Sequence, residues 1–195
     1  MKWVFTMKII SPEFEYTGWE IAPECLVHIQ EILSCVLIEK MIGSPSPIKL
    51  DIVEFGSGKS TEVIYKFKEE NNIPGVFDSF DADPNYAHPI AKIRDIKSYD
   101  GRPIQFGDDY SFYDIMEGDL TSSDYNLVIL DGHHGHGRSA AWELLIGKLA
   151  KGCVVVIDDF DHYPFKEDFL KVFPDSVLLD NHWRSEEHTS ELQSH

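Results

Sequence analysis

The chain has 195 residues, of which 43% are hydrophobic, and it carries a formal net charge of −17 at pH 7. This length fits one domain, and the apolar content is enough for a buried core. The negative charge disfavours a nucleic-acid backbone as substrate, because phosphate binding relies on basic patches. No apolar run approaches the about 18 residues of a membrane helix. Ser11 and Pro12 also interrupt the N-terminal segment before a signal-peptide core forms. We therefore expect no nucleic-acid or membrane partner.

The three cysteines favour a reducing compartment. Cys25 and Cys35 lie on one predicted helix, where a rise of about 15 Å separates them, so they cannot form a disulfide. Cys153 lies in a predicted core strand, and none of the three has the spacing of a metal site. Three buried thiols without a pairing scheme predict a cytoplasmic protein.

Apolar strands and amphipathic helices alternate along the chain. Four apolar runs predict buried strands at Leu50–Phe55, Val76–Asp81, Tyr125–Asp131 and Cys153–Asp159. Helical spacing predicts helices at Ala22–Met41, Thr61–Asn71, Tyr86–Ile93, Arg138–Ala150 and Pro164–Phe173, with Trp142 in the core. Weaker patterns predict strands at Pro103–Phe106 and Ser176–Leu179, and a short helix or loop at Tyr110–Met116. This alternation predicts an α/β fold with a mostly parallel, doubly wound sheet.

A glycine-rich turn joins the first predicted strand to the next helix. Gly56 and Gly58 permit positive φ and close approach of a ligand to the backbone N–H groups. Gly58, Lys59 and Ser60 match the end of a P-loop, but the residue five positions before Gly58 is Val53, so the loop is too short. A dinucleotide fingerprint would need a glycine or alanine where Thr61 stands.

The turn has a third interpretation, which the downstream strands favour. Residues 54–61 read E-F-G-S-G-K-S-T and resemble the first motif of class I S-adenosylmethionine-dependent methyltransferases, with Ser60 in place of the common third glycine. The order strand ending in D-G, helix, L-x-x-G and strand ending in D-D, over residues 125–159, resembles the second half of the same family. The resemblance runs from about Gly18 to Trp183. It implies a three-layer, Rossmann-like domain over residues 1–183.

The resemblance implies a cofactor and the residues that bind it. The cofactor is S-adenosylmethionine, and the residues that match its site are Glu54, Gly56, Ser57, Gly58, Ser60, Thr61 and Asp81. The glycines would let the backbone approach the methionine portion, and Glu54 would lie under the cofactor. Asp81 would accept hydrogen bonds from the ribose hydroxyls, because it ends the second strand more than 20 residues past the glycines.

Acids and histidines follow the fourth and fifth strands of the family pattern. The acceptor would be a small molecule, and the expected acceptor atom is an oxygen. Asp131 with His133 or His134 would face it as base or metal ligand. In one branch of class I O-methyltransferases, acids at the places of Asp131, Asp158 and Asp159 hold a divalent metal, which implies Mg²⁺ or another divalent cation here. Two alternatives stay open: a phosphoryl-transfer enzyme that uses Lys59, and a cofactor-binding module without turnover.

The last twelve residues, 184–195, resemble the in-frame translation of a sequencing-library adapter. We expect a non-native polar tail there and a domain cut off near Trp183. The last antiparallel strand of a class I methyltransferase sheet would then be missing, and the neighbouring strand would have an unpaired edge.

Overall fold

The structure is a computed structural model that describes residues 7–14, 21–43, 48–98, 111–133, 135–158 and 165–176. The helices are α1 (Pro23–Gly43), α2 (Lys59–Glu70), α3 (Ala140–Leu144) and α4 (Phe165–Val172), with 3₁₀ turns at Glu117–Asp119 and His136–Ser139. The strands are β1 (Ile52–Phe55), β2 (Phe77–Asp81), β3 (Lys92–Ile93), β4 (Ile96–Ser98), β5 (Ser111–Tyr113), β6 (Tyr125–Leu130) and β7 (Leu149–Ile157). The four strong strand predictions are confirmed.

Five strands form one parallel sheet in the order β3-β2-β1-β6-β7, and β4 and β5 form a separate antiparallel pair. The chain therefore starts in the middle of the sheet, builds outward to β3, and crosses to β6 on the other side of β1. This is the predicted doubly wound, Rossmann-like α/β fold. In such a sheet, ligands bind outside the carboxyl ends of the strands, where the strand order reverses between β1 and β6.

Alternating side chains bury both faces of the sheet. Ile52 contributes to an apolar cluster with α1 and α2, whereas Val53 contributes to a second cluster with α3, α4 and β5. Trp142 is almost fully buried in the second cluster, as predicted. Layers on both faces are therefore present, and Glu54 extends toward the α2 side.

Two helix predictions are corrected. Residues 86–91 form turns rather than a helix, and Lys92 already belongs to β3. An Asx turn precedes this segment, in which Asp83 accepts a hydrogen bond from the backbone N–H of Asn85. Within the segment, Pro89 has no N–H to donate, and its ring clashes with a helical carbonyl four residues earlier. The helix predicted over Arg138–Ala150 ends at Leu144, because the chain turns through Gly147 with φ of 70° and enters β7 four residues earlier than expected.

The remaining expectations divide by what the structure describes. The weakly patterned Tyr110–Met116 segment contains strand β5. Cys25 and Cys153 are half-buried, but Cys35 is exposed, contrary to the expectation of three buried thiols. The segment 103–106, the strand after Ser176 and the tail at 184–195 lie outside the described residues. Among the described helices, none is long and apolar enough to cross a membrane.

Candidate cofactor and acceptor site

The loops after β1 and β6 touch each other through two glycines. Gly56 has φ of 92°, and a Cβ atom built on it would lie 2.4 Å from the backbone nitrogen of Gly132. The N–H groups of Asp131 and Gly132 both donate to the carbonyl oxygen of Phe55, at 2.9 and 2.7 Å. A side chain at either glycine would separate the two loops. The glycine turn is therefore also in contact with the loop that carries Asp131.

Glu54 lies below this turn and holds the start of α2. Its carboxylate is fully buried and accepts hydrogen bonds from the hydroxyls of Ser60, Thr61 and Ser79, at 2.7, 2.6 and 2.8 Å. Burial raises the pKa of Glu54 to about 7, although the three hydroxyl donors partly oppose the shift. Thr61 Oγ1 in turn accepts the N–H of Gly58, at 2.8 Å. Ser60 and Thr61 thus contact Glu54, and their direct contact with a cofactor stays a prediction.

Asp81 anchors the other end of the turn. Its Oδ2 accepts the N–H and the hydroxyl of Ser57, at 3.0 and 2.7 Å, and its Oδ1 accepts the N–H groups of Ala82 and Asp83. The Ser57 hydroxyl also accepts the N–H of His88, at 2.9 Å. Asp81 ends β2, as predicted, and its contact with a ribose stays a prediction. The Ser57 hydroxyl already donates to Oδ2, the oxygen to which a ribose hydroxyl could donate.

Two carboxyl groups meet at the ends of β6 and β7. The side chains of Asp131 and Asp158 share a hydrogen bond. Burial raises the pKa of Asp131 well above its ordinary range, and the negative charge of Asp158 raises it further. Both effects favour the protonated form of Asp131. Asp159, the third predicted metal ligand, lies outside the described residues, and the described ranges contain no group of three or more His, Cys, Asp or Glu side chains that could hold a metal ion.

Arg138 joins the loop after β6 to the end of β7. The side chain is buried, and its guanidinium donates to the carbonyl oxygens of His133 and Asp158, at 2.5 and 3.1 Å. Its positive charge opposes the rise in the pKa of Asp131. The sequence predicted Arg138 only as the start of a helix, because an arginine before an amphipathic run gives no sign of burial.

Tyr113 is a second residue that the sequence analysis missed. It is 3% exposed, its ring centroid lies 6.3 Å from that of His133, and its hydroxyl would lie 2.4 Å from a Cβ atom on Gly132. Burial raises the pKa of Tyr113, and the charges of Asp81 and Asp131 add to the rise. The structure thus places a neutral phenol against the backbone of the loop after β6. Residues 110–116 have a weak pattern, which is why this position was not predicted.

The histidines after β6 separate into three situations. His133 lies against Tyr113, and His134 is outside the described residues. His136 Nε2 lies 2.6 Å from Oδ2 of Asp168 on α4. No role for His136 was predicted from the sequence, because nothing in the local pattern pointed to Asp168, which is 32 residues away.

Lys59, the residue on which a P-loop interpretation depends, lies at the start of α2. Its ammonium group is 3.6 Å from a carboxylate oxygen of Glu62 and 5.9 Å from the centroid of the Phe14 ring. The side chain is 47% exposed. It contacts a neighbour on its own helix.

Comparison with known proteins identifies the class. A family model described as a methyltransferase domain matches residues 53–160, which is more than half of the chain. The match begins in β1, takes in the glycine turn, Asp81, Asp131 and Asp158, and ends after β7. The chain belongs to this methyltransferase family, and its parallel sheet fits a class I S-adenosylmethionine-dependent methyltransferase. No curated protein and no solved structure matches the chain significantly.

Proposed function

We propose that this chain transfers the methyl group of S-adenosylmethionine to an oxygen atom of a small acceptor. The observation that supports the proposal best is the convergence of three features at one rim of the sheet. These are the Gly56–Gly132 contact, Asp81, and the hydrogen-bonded pair of Asp131 and Asp158. Family membership supplies methyl transfer in general, and the oxygen acceptor is the part that we add.

The cofactor side of the proposed site is the glycine turn. A Cβ atom on Gly58 would meet nothing within 4 Å, so the backbone here is open to a ligand. Its N–H already donates to Thr61, which keeps the turn in one shape before a ligand arrives. Asp81 binds the ribose hydroxyls in this proposal, and the Ser57 hydroxyl rotates away from Oδ2 to make room.

The acceptor side is the rim at β6 and β7. S-adenosylmethionine supplies an electrophilic methyl carbon on a positively charged sulfur. The acceptor oxygen forms the new bond to that carbon, the carbon–sulfur bond breaks, and sulfur keeps the electron pair. Most of the rate enhancement then comes from alignment of the oxygen with the methyl group, which is worth about 7–11 kcal/mol at best. The acceptor hydroxyl also loses its proton, so the protein must hold a base nearby.

The sequence predicts Asp131, His133 or His134 as this base. The contact between Asp131 and Asp158 bears on which of them can act. Burial and the charge of Asp158 raise the pKa of Asp131, which favours its protonated form, and a protonated carboxyl is poorly suited to accept another proton. It is well suited to orient the acceptor, by donating a hydrogen bond to the oxygen. The neutral phenol of Tyr113 closes the same rim from the β5 side.

A divalent metal is the second form of this proposal. Mg²⁺ in proteins is often held by one or two carboxylates together with several waters, but the pKa of Asp131 is raised well above its ordinary range, and a buried guanidinium donates to the backbone of Asp158 beside it. The described residues include no group of three or more His, Cys, Asp or Glu side chains that could hold a metal ion, and we place no metal in the reaction. Asp159 is the residue that would extend the set, and metal titration tests it.

Binding and turnover together test the proposed function. Calorimetry with S-adenosylmethionine, its demethylated product and ATP distinguishes the methyltransferase from a phosphoryl-transfer enzyme that uses Lys59. Methyl transfer to a panel of phenols, alcohols, amines and thiols then identifies the acceptor atom. Binding of the cofactor without transfer to any of these acceptors would favour the non-catalytic module, and transfer to nitrogen or sulfur alone would overturn the oxygen assignment.

A further inference from the structure

The outer edge of β7 and the neighbouring flank of α1 form an apolar surface that the proposed site does not use. β7 pairs with β6 on one side, and no strand among the described residues pairs with its other edge. We infer that this surface is an interface between two copies of the chain, in which the two β7 strands pair antiparallel across a two-fold axis. The inference does not depend on the proposed function, because it involves neither cofactor nor acceptor.

The regular part of β7 exposes apolar side chains along its whole length. The run Cys153–Ile157 reads C-V-V-V-I and contains no charged residue and no proline. All five residues are only half-buried, whereas every residue of the neighbouring strand β6 is buried. Charged side chains and prolines are the usual means by which an exposed strand avoids pairing with another chain. This part of β7 has neither, so its edge is free to accept a strand.

The flank of α1 beside this edge is apolar as well. Alternate residues of β7 pack on the cluster that α1 forms with α2. Cys25, Ile32 and Val36 follow one another at intervals of seven and four residues, so they lie on one side of α1, and all three are half-buried. Burial, and then the charge of Asp158 after β7, raise the pKa of Cys25 to about 11, so this side of the helix faces β7. Strand edge and helix flank therefore form one surface.

The backbone of β7 shows which of its groups are directed to the free edge. The N–H of Asp158 donates to the carbonyl oxygen of Leu130 on β6, at 3.0 Å. The backbone groups of alternate residues point to the same edge of a strand, so the residues two and four positions before Asp158 also face β6. Cys153, Val155 and Ile157 therefore direct their N–H and C=O groups outward.

The outward groups match those of a second copy. In an antiparallel pair centred on Val155, this residue lies opposite its own copy and Cys153 lies opposite Ile157. Opposite residues of this kind exchange two hydrogen bonds in each pair, so the register pairs every outward group of the run. A two-fold axis perpendicular to the sheet also sets Val154 opposite Val156, so that apolar side chains meet on both faces. Such an interface is closed at two copies.

The charge of the chain gives this interface a recognisable salt dependence. Each copy carries a formal net charge of −17, so two copies repel each other. Salt screens that repulsion, and the uncharged run Cys153–Ile157 has no ion pair to lose. Association should therefore strengthen as NaCl is raised, whereas an interface held by ion pairs would weaken.

Analytical ultracentrifugation of the full chain over a range of protein and NaCl concentrations tests the inference. We expect a monomer–dimer equilibrium that shifts toward the dimer with salt. Val155→Pro removes an outward N–H and leaves the bonds to β6, as proline on an edge strand does. It should raise the Kd of the dimer by at least about tenfold, because two hydrogen bonds are lost at the axis. Val155→Thr is the matched control, since it keeps both the shape and the N–H.

Cysteine cross-linking tests the register even if Val155→Pro fails to fold. In a chain with Cys25→Ser and Cys35→Ser, the added substitution Ile157→Cys should form a disulfide with Cys153 of the second copy on mild oxidation. The separation of about 5.5 Å between opposite Cα atoms in such a pair suits a disulfide. Val156→Cys in the same background is the control and should remain reduced, because its side chain points to the other face.

Three results overturn the inference. The first is a chain that stays monomeric at every protein and salt concentration. In that case, slow hydrogen exchange at the N–H of Val155 would show that another segment of the same chain covers the edge. The second is a dimer that weakens with salt or is unaffected by Val155→Pro. The third is equal cross-linking of the Ile157→Cys and Val156→Cys variants.

Discussion

The two halves of the rim are built in different ways. On the β1 side, Glu54, Ser57, Thr61 and Asp81 form hydrogen bonds with residues of the same strand–turn–helix–strand unit. On the β6 side, the side chains contact segments that are distant in the chain. Asp131 and Arg138 contact Asp158 after β7, and His136 contacts Asp168 on α4. The residues that we propose for the cofactor therefore belong to a local unit. The residues that we propose for the acceptor belong to a surface assembled from several elements.

The contact between the two halves gives the largest expected effect. Gly56→Ala places a methyl group 2.4 Å from the backbone of Gly132 and strains a residue with φ of 92°, so we expect a loss of about 4 kcal/mol in the free energy of unfolding. Chemical denaturation measures it. Gly58→Ala is the matched control, because its Cβ meets nothing within 4 Å and its φ is extended. Equal losses for both variants would mean that the two loops are not in contact.

Glu54 sharpens the account of the cofactor half. Its folded pKa of about 7 lies above the ordinary value of 4.5, so the folded state binds this proton more tightly than the unfolded state. The stabilisation is therefore complete below pH 4.5 and is lost as the pH rises toward 7, by about 3 kcal/mol. Glu54→Gln should lack this component. Denaturation of both proteins between pH 4.5 and 8 measures it, and parallel curves would show that Glu54 titrates in its ordinary range.

Asp81 tests whether the local unit binds the ribose. Asp81→Ala should weaken S-adenosylmethionine binding by roughly 1–3 kcal/mol, the value of a lost charged hydrogen-bond pair. Asp81 also anchors the glycine turn, so Ser57→Ala is the matched control: it removes the hydroxyl that bonds the same oxygen and leaves the carboxylate. If calorimetry finds equal losses of affinity for S-adenosylmethionine in both variants, Asp81 anchors the turn and does not bind the ribose.

Metal addition tests the acceptor half, where we expect no effect. If a proton joins Asp131 and Asp158, Mg²⁺ should leave the thermal midpoint of the parent and of Asp158→Asn unchanged, since the described residues offer no group of three or more His, Cys, Asp or Glu side chains to hold it. A true site would stabilise the parent by about 2.7 kcal/mol at a hundredfold excess over Kd. Such a shift in the parent, absent from Asp158→Asn, would restore the metal-assisted form of the proposal.

The difference between the two halves of the rim explains which features could be predicted from the sequence. The β1 strand, its glycine turn and the acid at the end of β2 were predictable because their signals are local: a short apolar run, two glycines and an acid at a fixed distance. Arg138, Tyr113 and Asp168 were not predictable, since each acquires its role through a contact with a distant segment. The helix predicted at residues 86–93 was wrong because Pro89 interrupts helical hydrogen bonding, which hydrophobic spacing does not register.

Methyl transfer itself tests the central claim most directly. The parent is incubated with S-adenosylmethionine and the acceptor panel, and mass spectrometry locates the added methyl group while the demethylated cofactor is quantified. We predict one methyl group on an oxygen of a small acceptor for each cofactor consumed. Cofactor binding without any transfer, or binding of ATP in place of S-adenosylmethionine, would contradict it.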